Sequence, residues 1–188
     1  MKKNKSLFGL PKTVEFCQRC VISNQRPNST VEFKSKISSK KAGIIMNKSG
    51  LCSACLYHDL KLKIDWKKRE NMLKKLLRKF RKKVGYDVVV PSSGGKDSGM
   101  TAHILKYKYG MNPLTVTWSP HLFTKIGLEN FNNCIHVGGM DNILFTPNGK
   151  LHRVLTSLAF KNLLHPFQPF IVGQKIIGPL VAEKFDIP

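Results

Sequence analysis

The sequence predicts an α/β protein, a doubly wound parallel sheet preceded by a small module of four cysteines. Three observations predict it. From Tyr86 onward, short β-branched runs alternate with helical patterns, as in a parallel sheet covered on both faces. A glycine-rich loop joins the first of these runs directly to a helix. Before residue 60 the pattern is different: two CxxC pairs stand among lysines and serines with no convincing periodicity.

The elements follow in order. Residues 65–83 read as a helix, with Leu73, Leu76, Leu77, Phe80 and Val84 on one face and a dense basic face opposite; Gly85 stops it. The basic face reads as either solvated or anion-gripping. Strands are expected at 86–91, 113–118, 142–146 and 169–173, and helices at 98–109, 127–137 and 151–164. Pro179 is expected to open a last helix, because proline suits the first helical turn. The lysine- and serine-rich run over 34–41 reads as a loop. The chain is thus expected to divide into a four-cysteine module over 1–60, a basic amphipathic linker helix over 61–85, and a nucleotide-binding domain over 86–188. Asp186-Ile187-Pro188 resembles the approach to a fifth strand, so that domain is expected to be incomplete at its C-terminus.

Composition narrows the class. Hydrophobic residues make up 41 % of the 188, enough to build a core. No stretch reaches the ~18 apolar residues of a membrane span, and 7–10 is too short for a signal-peptide core, so a cytoplasmic protein is expected. The net charge of +21 points to an anionic partner: nucleic acid, nucleotide, phosphorylated sugar or an anionic membrane face. The same charge is also compatible with lysines that only decorate solvated faces.

Cys17, Cys20, Cys52 and Cys55 form the two pairs. Each CxxC turn brings two thiolates to one side of a metal, and two such turns complete a tetrahedron. This predicts a closed, structural, zinc-ribbon-like Zn²⁺ site, with an iron–sulfur cluster as the alternative and His58 as a substitute ligand. The fifth cysteine, Cys134, falls mid-helix beside Phe131 and Ile135 and reads as a buried, inert thiol.

The loop is Ser93-Gly94-Gly95-Lys96-Asp97-Ser98. Its glycines let backbone N–H groups come close to a phosphate, and the following helix N-terminus adds positive potential. Lys96 supplies a full charge for pyrophosphate oxygens. Ser93 and Ser98 supply hydroxyls, and Ser98 can also cap the helix. Asp97 suits a loop-orienting role or a Mg²⁺ ligand. The spacing is too short for a Walker A loop. It resembles the PP-loop of the N-type ATP pyrophosphatases, which adenylate a carbonyl or carboxyl oxygen and release pyrophosphate from ATP. That resemblance implies the strand order 3-2-1-4-5, with the ligand crevice where the order reverses, between strands one and four. Gly173 and Gln174, after the expected fourth strand, are then a second contact for ATP or the acyl group, or else a plain turn. Residues 118–121 and 146–149 border the same rim, within reach of adenine or substrate. The remaining histidines read as structural.

A longer resemblance covers the chain from about Cys17 to its end. The strings CQRCVISNQRP, GLCSACLYHD, DVVVPSSGGKDSGMTAHILKYKYGMNPLTVTW, HVGGMDNILFTPNGKLHR and LLHPFQPFIVGQKIIGP are similar to the N-acetyl sugar amidotransferase family of bacterial surface-polysaccharide pathways, including lipopolysaccharide O-antigen. The resemblance implies that ATP adenylates the acetamido oxygen of an N-acetyl sugar, expected to be nucleotide-linked. Ammonia then displaces AMP and leaves an acetamidino group. It also implies glutaminase and cyclase-like subunits that supply the ammonia. The family's chain continues past position 188, so strand five and much of the sugar pocket are expected to be missing and the isolated chain inactive. Two other readings stand beside it: a tRNA-thiolating PP-loop enzyme, and a non-catalytic zinc-containing module that binds nucleotides or nucleic acid.

Overall fold

The computed structural model describes residues 10–27, 36 and 43–188. Apart from Lys36, the expected loop over 34–41 lies outside them. The chain forms two compact units, Met1–Trp66 and Lys67–Pro188.

In the first unit, isolated antiparallel bridges join Phe16 to Ser23 and Met46 to Cys52. Helix α1 (Ser53–Leu62) follows the second bridge. Cys52 caps it, its sulfur accepting from the Cys55 N–H.

All of α2 (Trp66–Phe80) but its first residue lies in the second unit, and Leu77 alone of the expected apolar face is buried. Strand β1 (Val88–Pro91), helix α3 (Lys96–His103) with its π-helical continuation Ile104–Lys108, and β2 (Pro113–Trp118) come next. Then follow α4 (Lys125–His136), β3 (Asp141–Phe145), α5 (Gly149–Leu163) and α6 (Gln168–Phe185). The sheet is parallel, in the order β1-β2-β3, with Val89 opposite Leu114 and Val116 opposite Ile143. This is the first part of the expected order.

Central β2 is buried at every position but its last. Leu114 and Val116 pack with Ile177, Val181 and Ile187 from the C-terminal segment. Val90, Ala102 and Met140 form a second cluster, to which Leu105 and Cys134 add. Thr115 and Thr117 alternate with the apolar residues of β2 and are equally buried. Thr115 Oγ1 donates to the Asp141 carbonyl at 2.6 Å and Thr117 Oγ1 donates to the Ser92 carbonyl, while Asn142 Nδ2 donates to both hydroxyls. The two buried hydroxyls are thereby satisfied, while Asn142 Oδ1 is buried without a hydrogen-bond partner among the described residues.

The C-terminal quarter differs from expectation. Residues 169–173 are not a fourth strand; they are the first turns of α6. Pro179 does not open a helix but lies inside this one, where it withholds an N–H from the ladder. A short, unbroken apolar run has no period of its own, so it fits strand and helix equally. The spacing of what α6 buries is helical: Gly173, Ile177, Gly178 and Val181. Both glycines are contact points. A Cβ on Gly173 would stand 2.2 Å from the Trp118 ring, and one on Gly178 would stand 2.9 Å from the Pro91 ring. The free edge of β1, assigned from sequence to 169–173, is approached instead by the residues after α6: the Val89 N–H donates to the Pro188 carbonyl at 2.7 Å.

Gly173→Ala tests this packing. The added methyl is expected to lift α6 from Trp118 and cost about 1–3 kcal/mol, as overpacking does. Urea unfolding at wild-type midpoint would show that α6 does not seat there.

Candidate functional site

The loop after β1 is built on Ser92, Gly94 and Gly95. Ser92 is buried; its N–H donates to the Val116 carbonyl at 2.8 Å. Its Oγ accepts from the Gly94 N–H at 3.4 Å and donates to Ser98 Oγ at 3.1 Å. Gly94 has φ of +76°, and a Cβ there would lie 2.7 Å from Phe131 Cα in α4. Backbone meets backbone, so only glycine fits. Gly95 differs: its backbone is extended, and the nearest atom to a built Cβ is Ser93 Oγ at 3.7 Å. The fold does not require glycine at this position.

Gly95 is the N-cap of α3 and brings no capping side chain. Ser98, expected as a possible cap, sits inside the first turn instead, and its hydroxyl donates to the Gly95 carbonyl at 3.1 Å. The first-turn N–H groups of α3 therefore keep their positive end for another partner. Lys96 and Asp97 stand at the lip of the loop, each side chain 90 % exposed and 2.9 Å apart. An ion pair this exposed adds little to stability.

Ser93 and Ser98 line a cavity of about 230 Å³ together with Ser92, Trp118 and Gln174. Gln174 thus reaches the loop from a helix, not from the end of a strand. Gly173 does not line this cavity; it lies against Trp118. Sequence reasoning placed Trp118 on this rim but gave Ser92 no role of its own. Trp118 Nε1 is buried without a hydrogen-bond partner among the described residues. The signal for Ser92 was its place directly before the loop.

Further along the rim, the segments after β2 and β3 enclose a polar cavity of about 480 Å³ that includes His121, Gly149, His152 and Arg153. His152 was read as structural; its ring lies 4.5 Å from that of His121. Beside this cavity α5 and α6 enclose an apolar one of about 620 Å³, lined by Leu151, Leu155, Val172 and Ile176 among others.

In the first unit, Cys17, Cys20, Cys52 and Cys55 bring their sulfurs within 4.8 Å of one another. Cys17 and Cys55 are 3.9 Å apart and Cys20 and Cys52 3.6 Å, far beyond a disulfide and close to the ~3.8 Å edge of a tetrahedron with ~2.3 Å metal–sulfur bonds. The cluster takes Cys55 and not His58. Gly50, at φ +69°, turns the chain into the second pair, and Asn47 Oδ1 accepts from the N–H groups of Ser49 and Leu51. Arg19 and Asp59 pair at 2.7 Å, tying the first CxxC turn to α1. Backbone N–H groups of Cys52 and Arg19 hold the Cys17 thiol down at about 6, whereas burial pushes Cys55 up to about 12. A divalent cation lets such thiols ionise together. The four sulfurs can hold a metal ion such as zinc, and four thiolates leave no open coordination position.

Among the described residues no helix is long and apolar enough to cross a membrane. Compared with known proteins, the chain matches no protein-family model and no curated protein.

Two outcomes are expected. Gly94→Ala should destabilise the second unit by about 2 kcal/mol or more, through its positive φ and the Phe131 clash, while Gly95→Ala stays within about 1 kcal/mol of wild type. Equal losses in chemical unfolding would contradict the distinction. Protein grown with zinc and iron supplied together should carry one zinc per chain by metal analysis, and Cys52→Ser should lose it and loosen the first unit, since binding and folding are coupled. A brown chromophore or substoichiometric zinc would point elsewhere.

Proposed function

We propose that the chain carries the PP-loop of a doubly wound ATP pyrophosphatase and acts as an ATP-dependent amidotransferase on a nucleotide-linked N-acetyl sugar. The observation that carries this reading is Gly95. A glycine stands at the N-cap of α3 where the fold leaves room for a side chain, so the open space suits an anion approaching the first-turn N–H groups. Lys96 beside it, and Ser93, Ser98 and Gln174 around one cavity, supply the remaining donors.

In this reading Lys96 offsets charge on the departing pyrophosphate. Ser93 and Ser98 orient phosphate oxygens, and Gln174 offers an amide to the α-phosphate or the acetamido group. Gly173 contributes by seating α6, which carries Gln174. Asp97 is solvent-reachable and of the right donor type for Mg²⁺, which when bound would neutralise polyphosphate charge. The chemistry needs no protein nucleophile. The acetamido oxygen attacks the α-phosphorus, pyrophosphate leaves, and ammonia adds to the activated carbon. AMP then departs with the former amide oxygen. A glutaminase with a cyclase-like subunit is the expected ammonia source.

The +21 charge favours a second reading, thiolation of tRNA. Against it, Cys134 is the only cysteine after Cys55, and it packs against the Val90, Ala102 and Met140 cluster. A non-catalytic nucleotide- or nucleic-acid-binding role is a third reading, and it would show neither product.

With ATP, ammonium and a panel of nucleotide-linked N-acetyl sugars, a chain that includes the expected fifth strand should release AMP and pyrophosphate together in a sugar-dependent way. Lys96→Ala should lower turnover about 10²–10³-fold without shifting the melting temperature, because the side chain is exposed. Thiolated tRNA that depends on Cys134, with no sugar-dependent AMP, would overturn the proposal.

A further inference from the structure

The polar cavity beyond β2 and β3 has the features of a second anion site. Its floor is the first turn of α5. Asn148 caps that helix by accepting the Leu151 N–H at 3.1 Å, which leaves the earlier N–H groups without an intrahelical partner. Gly149 is the first helical residue, and a Cβ built on it meets no atom within 4 Å. As at Gly95, a glycine stands at a helix start where packing does not demand one.

An independent observation lies one turn further on. His152 is only 8 % exposed and lines the cavity. Its Nε2 is buried and has no hydrogen-bond partner among the described residues, and the same holds for Thr156 Oγ1, another lining group. A buried polar atom left unpaired is costly, and a ligand is one way to satisfy it. Burial, and then the neighbouring His121, hold the His152 ring below its ordinary value, so at neutral pH it is uncharged and offers one N–H donor. Arg153 brings a permanent positive charge to the same cavity.

We propose that this cavity is a diphosphate-binding subsite, in which the α5 N-terminus, His152 and Arg153 hold the diphosphate handle of the nucleotide-linked sugar. The assignment of that handle rests on the amidotransferase reading; the affinity for a diphosphate group does not. The placement is consistent with two ligands on one rim. β1 and β3 are separated by β2, so their C-terminal ends lie two strand spacings apart, roughly 10 Å. The sugar's acetamido group would face the loop after β1 while its handle is anchored over β3.

The test uses chain with ¹³C-labelled histidine and the Lys96→Ala substitution, which disables the first loop. Inorganic pyrophosphate is titrated in, and the ring resonances of His121 and His152 are followed by NMR. Saturable shifts of both rings are expected, and Arg153→Gln or Gly149→Ala should weaken the apparent affinity at least about tenfold. Gly149→Ala adds a methyl into open space, so its fold is expected to survive. Silent rings, or affinity unchanged in both variants, would overturn the subsite. UDP-N-acetylglucosamine should reproduce the pyrophosphate shifts; a response to pyrophosphate alone would overturn the handle assignment. If the rings respond but protein with Lys96 intact never yields AMP in the sugar assay above, the amidotransferase reading fails while the diphosphate site stands. Sugar-dependent AMP with silent rings means the reverse.

Discussion

The contact between Gly94 and the backbone of Phe131 is the constraint on which the rest of the loop depends. It fixes the turn after β1 against α4 at a distance no side chain permits. With Gly94 held there, the Ser92 hydroxyl reaches both its N–H and Ser98, and the Ser98 hydroxyl reaches the Gly95 carbonyl. The start of α3 is therefore set before any ligand arrives. Preorganised donors stabilise an anion without the cost of ordering them at the moment of binding.

That loop is tied to its neighbours through the interior of the sheet. Thr117 donates to the Ser92 carbonyl, Thr115 to that of Asp141, and Asn142 bridges both threonines from β3. Threonines at these positions are isosteric with valine, yet they carry hydroxyls that lock three strands in register. Loosening this network would move the strand ends relative to one another. Both candidate anion positions lie on that rim, one after β1 and one after β3, each at a helix start that carries a glycine packing does not require, Gly95 as the N-cap of α3 and Gly149 as the first residue of α5. The four cysteine sulfurs belong to the first unit, and as thiolates around one metal ion they would leave no open coordination position.

Much of this was legible in the sequence for identifiable reasons. β1, β2 and β3 announced themselves by β-branched runs bounded by glycine or proline; the structure keeps the expected bounds of β2, starts β1 two residues later and moves β3 back by one. The four cysteines were legible because CxxC spacing is a local geometric demand. The helix α6 was not. Its residues are apolar around most of the circumference, and the two glycines that mark its buried stripe look like breakers when read singly. Treating Gly173 and Gly178 as interior residues alongside Ile177 and Val181 restores a helical period. Which glycine serves packing was equally hidden: Gly94 and Gly95 are indistinguishable in the string, and the position of α4 and the positive φ of Gly94 separate them. The pairing of His121 with His152 is tertiary, since 31 positions separate them.

The central chemical claim is that the amide oxygen of the sugar leaves on AMP. It is tested most directly with a nucleotide-linked N-acetyl sugar carrying ¹⁸O in its acetamido group, incubated with ATP and ammonium. The account predicts AMP two mass units heavier, with ¹⁸O on phosphorus by ³¹P NMR, and an acetamidino product free of label. Unlabelled AMP, or ADP and phosphate in place of AMP and pyrophosphate, would contradict it.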